Sequence, residues 1–243
     1  MNKVARVIWN ELVPRSPVFS TAEVARHTSV SLANASRDLR NLQAHGVVAR
    51  IRRGLWAVPN HPDFSPYAVV PHLFAEREAG YVSLLSALSL HGMMEQIPQT
   101  IHVVTTSQRA PVKTPVGSYT FFRIEPTLFG GFRPYRRTGS FDIATPEKTV
   151  FDTLYFSARK GRRFSFLPEI ELPAGFSPEE VERWIGQVSH APLRTAVLRR
   201  WAELERRVGW NEEGKRRSEE IRSGKVTTIP AAQVRARIRS KFK

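Results

Sequence analysis

Between Ser20 and Val58 a helix-start signal, a periodic helix, a terminal glycine and an arginine-tipped hairpin follow one another, in an order that few folds accommodate. Ser20-Thr21-Ala22-Glu23 places a hydroxyl three residues before a carboxylate, so each side chain can satisfy a backbone N–H left open at a helix start. That helix is expected to run to about His27, and Thr28-Ser29-Val30-Ser31 forms the turn. From Leu32 to His45, Leu32, Ala35, Leu39 and Leu42 recur at spacings of three and four, which marks a buried stripe. Gly46 supplies the positive φ that ends such a helix. Away from the stripe lie Ser31, Asn34, Arg37, Arg40 and Asn41, groups suited to base edges and phosphates. Val47–Ile51 and Leu55–Val58 then read as two strands joined at Arg52-Arg53-Gly54, with Arg50 close by. An ordinary helical hairpin with a solvated basic face has the same composition. The order of the four signals favours a winged helix–turn–helix that meets duplex DNA through the second helix and through Arg50, Arg52 and Arg53.

The distribution of charge agrees. The chain carries a formal +15 with a sequence pI near 10.9, which suits a polyanionic partner. Residues 1–60 hold nine Lys and Arg against three Asp and Glu, residues 61–198 hold 14 against 13, and residues 199–243 hold 14 against six. Both ends are basic and the middle is neutral. Nothing approaches the roughly 20 apolar residues that span a bilayer, the first residues lack a signal-peptide core, and the absence of cysteine excludes disulfides and thiolate chemistry. A cytoplasmic protein with no membrane role is the expectation.

Length and punctuation suggest four segments: a winged helix at 1–60, a linker at 61–75, a mixed domain at 76–210 and a basic, partly helical arm at 211–243. The fold class is α/β (α+β). Lys3–Val13 reads as a helix stopped by Pro14, with Trp9 in the core or as a lid. Pro59, Pro62, Pro66 and Pro71 mark the linker. Glu78–Met94 reads as a buried helix, Ile97–Thr106 and Tyr119–Ile124 as strands paired through the intervening loop, and Gly130 to Arg137 as a loop before an extended Phe141–Ile143. Helices are expected after Thr145-Pro146-Glu147 and Ser177-Pro178, and over Thr195–Val208.

Tyr81-Val82-Ser83-Leu84-Leu85-Ser86-Ala87-Leu88-Ser89-Leu90-His91-Gly92, then Ile97-Pro98 and Ile101–Thr105, resembles the AbiEi family of type IV antitoxins. Ala144–Asp152 is similar to a second signature of that family. With the amino-terminal segment the resemblance covers residues 1 to about 200. It implies a repressor of its own operon that binds inverted repeats, as a monomer or weak dimer assembling on DNA, and that counteracts a toxin of nucleotidyltransferase fold. On this resemblance Ser31, Asn34, Arg37 and the wing arginines map onto DNA contacts, and Glu147, Lys148 and Asp152 onto a motif of possible antitoxin function without assignable chemistry. The tail from Ser218 departs from the pattern.

Enzymatic signals are weak beside these. Glu147, Lys148 and Asp152 could hold a metal, but a carboxylate after Pro stabilises a helix start, and Lys148 with Asp152 at i, i+4 reads as a surface or interdomain pair worth roughly 0.2–0.5 kcal/mol. His72, His91 and His102 lack the short spacing of a zinc motif. Ser83, Ser86 and Ser89 lie outside any nucleophile elbow, and no P-loop or dinucleotide fingerprint is present. No cofactor or metal is expected. Two other readings stay open for the second domain: an atypical kinase or other enzyme that modifies the toxin, and an inhibitor that occludes it. The run Arg159, Lys160, Arg162, Arg163 beside Phe164 and Phe166 follows a phosphate backbone or forms a solvated loop.

Overall fold

A computed structural model describes residues 3–75, 78–136, 140–159 and 167–222, with backbone alone from 210 onward. It opens with α1 (Lys3–Val7), which widens into a π-helical turn over Ile8–Leu12. Next come β1 (Val18–Ser20), α2 (Thr21–Thr28), α3 (Leu32–Ala44), β2 (Ala49–Arg52) and β3 (Leu55–Ala57). The three strands form an antiparallel sheet in the order β1-β3-β2. Both halves of the expected capping box are made at the start of α2: Ser20 Oγ accepts from Glu23 N at 3.1 Å and the Glu23 carboxylate accepts from Ser20 N at 2.6 Å. The turn into α3 uses a left-handed Ser29 at φ 54°, held by Val30 N–H donating to the Ala25 carbonyl at 3.1 Å.

Val4, Ile8, Leu12, Phe19, Val24, Ala35, Leu39 and Trp56 form one core behind α2 and α3. Each large member contributes about 1.5–3 kcal/mol relative to exposure. One expectation is narrowed here and one corrected. Of the two places expected for Trp9, core or lid, the core is excluded: Trp9 is 38% exposed and tilted against His61. Leu32 is 59% exposed, because it stands about two turns before Leu39 on the same stripe and projects past the end of the core.

The stretch expected as a linker carries a 3-10 helix, Pro66–Leu73, whose Ala68, Val69, Val70 and Leu73 are buried. This helix is the floor shared by the small sheet and a larger one. The chain continues as β4 (Gly80–Val82), α4 (Leu84–Leu90), β5 (Thr100–Thr105), β6 (Val112–Thr114), β7 (Gly117–Arg123), β8 (Phe132–Tyr135) and β9 (Phe141–Ala144). The six strands are ordered β6-β7-β5-β4-β9-β8. The cross-strand row Ile143, Val82, Val103, Phe121 joins Val69 and Val70 and, from the small sheet, Val18, Ile51, Leu55 and Ala57 in a second core.

The long helix expected over Glu78–Met94 is therefore a strand followed by a seven-residue helix. β5 and β7 pair in parallel, not as a hairpin, and β6 supplies the antiparallel return onto β7. Part of the expected glycine loop is β8. On the other side of the large sheet lie α5 (Pro146–Ala158) and α6 (Pro178–Gly186). Met1–Val197 forms one unit and Leu198–Lys243 a second, with α7 (Ala191–Arg222) running across the division.

Candidate nucleic-acid interface

All eight side chains that the sequence assigns to DNA, Ser31, Asn34, Arg37, Arg40, Asn41, Arg50, Arg52 and Arg53, are exposed. Five stand on α3 or at its start and three on the hairpin. Several are already oriented by local bonds. Ser31 Oγ caps α3 by accepting from Asn34 N at 3.2 Å, and Arg37 donates to Asn34 Oδ1 at 3.1 Å. Arg40 Nε donates to the Ser36 carbonyl at 3.3 Å. Such bonds cost a solvent-exposed side chain little to exchange for a phosphate or a base edge, since the net value of an exposed hydrogen bond is about 1 kcal/mol.

The hairpin turns tightly because Gly54 takes φ 78°, a conformation that strains any residue with a Cβ. Its arginines differ. Arg50 lies over the Trp56 ring at 5.9 Å, and Trp56 is anchored by its Nε1–H donating to Thr21 Oγ1 at 2.8 Å. Arg52 donates to the His72 carbonyl at 2.9 Å, which ties the hairpin to the 3-10 helix. Arg53 makes no hydrogen bond or ion pair among the described residues. Burial, with Arg52 nearby, pulls His72 below the usual imidazole range against the pull of Glu23.

Of Glu147, Lys148 and Asp152, the last two meet and Glu147 points elsewhere. Glu147 accepts from Ser177 N at 3.4 Å. Lys148 and Asp152 are both 0% exposed and 2.5 Å apart, so the expected surface or interdomain pair is instead a buried one. Asp152 Oδ2 accepts from Tyr81 Oη at 3.0 Å and from Ser83 Oγ at 2.8 Å. The ammonium of Lys148 sits 4.7 Å from the Phe151 and Trp184 ring centres. Burial pulls the Lys148 amine down and pushes the Asp152 carboxyl up, each opposed by its partner. Two backbone features complete the arrangement. Leu84 adopts φ 54°, an outlier for leucine, where the chain leaves β4 for α4 directly after Ser83. Gly131 leaves room for the Trp184 ring and the Lys148 stem, since a Cβ there would come within 2.8 and 2.9 Å of them. The sequence did not tie Tyr81, Ser83 and Trp184 to this pair because they are 71, 69 and 36 residues from the groups they touch. As it stands the cluster offers no open face to a substrate; it locks α5 to the large sheet.

Among the described residues no His, Asp and Glu group could hold a metal ion, and no helix is long and apolar enough to cross a membrane. Of the basic run, Arg159 donates to the Arg123 carbonyl at 2.9 Å; Lys160, Arg162 and Arg163 lie outside the described residues.

The helix pair and hairpin coincide with a sequence family described as transcriptional regulator, AbiEi antitoxin, whose model matches residues 10–59. Over those residues the chain is similar to the AbiEi antitoxin family. The AbiEi match takes in the capping box, α3 and the whole hairpin. The motifs at 81–105 and 144–152 lie beyond the matched stretch. No curated protein sequence matches the chain. Among solved structures the fold is similar to that of the RV2827C protein from Mycobacterium tuberculosis, with a TM-score of 0.55 and 16% identity over 84% of this chain and 79% of that one. That similarity is one of fold.

Proposed function

We propose that the chain is a cytoplasmic, sequence-specific DNA-binding antitoxin, which represses its own toxin–antitoxin operon through a winged helix–turn–helix and counteracts a partner toxin of nucleotidyltransferase fold through the domain that follows. The observation that carries the DNA-binding part is the exposure of all eight polar side chains on α3 and the Arg-tipped hairpin, within the stretch matched by the AbiEi family. In this reading α3 enters the major groove, Arg37 reads a base edge, and Arg50, Arg52 and Arg53 follow the phosphates beside it. A monomer or weak dimer then assembles on inverted repeats. Antitoxin action rests on the second domain, where Glu147, Lys148 and Asp152 serve by fixing α5.

The test is a binding series on duplexes from upstream of the chain's own reading frame, against random duplexes, at several salt concentrations. Arg37→Ala is expected to relax discrimination at one base position by about 1–3 kcal/mol. Arg53→Ala is expected to weaken binding evenly across sequences and to reduce the salt slope by about 0.9. Equal losses on cognate and random DNA for both variants would remove base reading from α3. Co-expression with the product of the neighbouring reading frame tests the antitoxin half: growth restored by this chain supports it, and continued arrest overturns it.

A further inference from the structure

Leu32 is the one large apolar side chain that α3 leaves mostly in water, at 59% exposure. It occupies the first helical position, directly after the Ser31 cap. Ala33 beside it is exposed, and Ser36 and Arg37 follow on the next turn. At 3.6 residues per turn these four fall within less than half of the helix wheel. The beginning of the second helix is the part that such a motif presents to base edges.

The polar groups at this end are partly spoken for. Ser31 Oγ is held by the backbone N–H of Asn34, and the Asn34 carbonyl oxygen by Arg37. What remains foremost is a branched hydrocarbon, within a surface whose exposed cations include Arg37, Arg40, Arg50, Arg52 and Arg53. Those cations suit a polyanion and disfavour an apolar protein face as the occupant. The only apolar group that a duplex offers in its major groove is the C5-methyl of thymine.

We propose that Leu32 is a specificity-determining residue that packs against a thymine methyl, and that each half-site of the recognised sequence holds one thymine chosen for that group. The inference rests on the DNA-binding reading above. The experiment enriches binding sequences from randomised duplexes with the full chain. Each thymine of the recovered site is then replaced singly by deoxyuridine, which removes the methyl and leaves base pairing intact. At one thymine per half-site the substitution is expected to weaken the wild-type chain about fourfold, the scale of one buried methyl group. Leu32→Ala is expected to bind both duplexes equally at that position while keeping the wild-type response elsewhere. Leu32→Met, which retains an apolar reach, is expected to restore part of the difference.

A deoxyuridine effect that persists unchanged in Leu32→Ala overturns the proposal, as does a site at which no thymine responds. A chain that enriches no sequence at all overturns the DNA-binding reading itself, so the two failures are told apart. Leu32 is exposed, and equal thermal unfolding of wild type and variants shows that the change acts on binding and not on folding.

Discussion

α3 and α5 are both helices of 13 residues, and they use their polar side chains in opposite ways. α3 buries only Ala35 and Leu39, whereas α5 buries ten residues in succession from Lys148 to Ser157. The cations of α3 remain in water, where their fields reach a polyanion and fall off over about a Debye length of 8–10 Å. The cation of α5 is sealed against a carboxylate and three aromatic rings. Formal charge therefore says little about role. A charge in water is available for recognition, and a charge taken out of water is committed to its partner because leaving it alone is so costly.

The most damaging way to test that contrast is to break the buried pair. Lys148→Met leaves Asp152 uncompensated inside the protein and is expected to cost about 3–5 kcal/mol. Lys148→Met with Asp152→Leu removes both charges and is expected to recover much of that loss, since apolar replacement of a buried pair is often nearly neutral. Urea unfolding of the wild type, both single variants and the double variant decides the matter. Single variants that lose under about 1 kcal/mol, or a double variant no better than either single, would place the pair in water after all.

What could be read from the sequence follows the same division. The capping box of α2 was legible because its two partners are three residues apart, and the glycine at the hairpin tip because a tight turn needs positive φ. The exposed polar residues of α3 were legible from the helical period alone. The period misplaced Leu32 because it marks a stripe and not where along the stripe the core ends. It also merged β4 into α4, since Val82 lies three residues before Leu85, a helical spacing, although Leu84 breaks the backbone between strand and helix. Lys148 and Asp152 could not be told from a surface pair, because an i, i+4 spacing looks the same in water and in a core. Burial was decided by Tyr81 and Ser83 on a distant strand.

A smaller effect sharpens the comparison within the amino-terminal region. The Ser20 cap is reciprocal and half-buried, whereas the Ser31 cap is exposed and one-sided. Burial alone would raise the Glu23 carboxyl, but the Ser20 N–H and hydroxyl outweigh it and hold the group below the usual carboxylate range. Ser20→Ala is expected to cost about 1 kcal/mol or somewhat more, and Ser31→Ala less than that. Thermal unfolding of the two variants side by side checks the order. The reverse order would mean that the α3 cap is stronger than its exposed geometry indicates.

The smallest expected effect lies where the two regions meet. His72 lies in the buried 3-10 helix, and its carbonyl holds Arg52 of the hairpin. Burial, aided by Arg52, sets its imidazole below the ordinary value of 6.5, so between the folded and unfolded values the unfolded chain binds more protons. Stability then rises with pH through that window. The contribution is complete above about pH 6.5 and is lost as pH falls toward the depressed folded value. His91 acts in the same direction, through burial and the nearby Arg133. His72→Gln leaves the carbonyl that holds Arg52 and removes one titrating ring. It is therefore expected to flatten, but not abolish, the loss of urea stability between pH 6.5 and 5. An unchanged acid limb would show that the His72 ring is already solvated, and that the floor beneath the hairpin is looser than its buried valines imply.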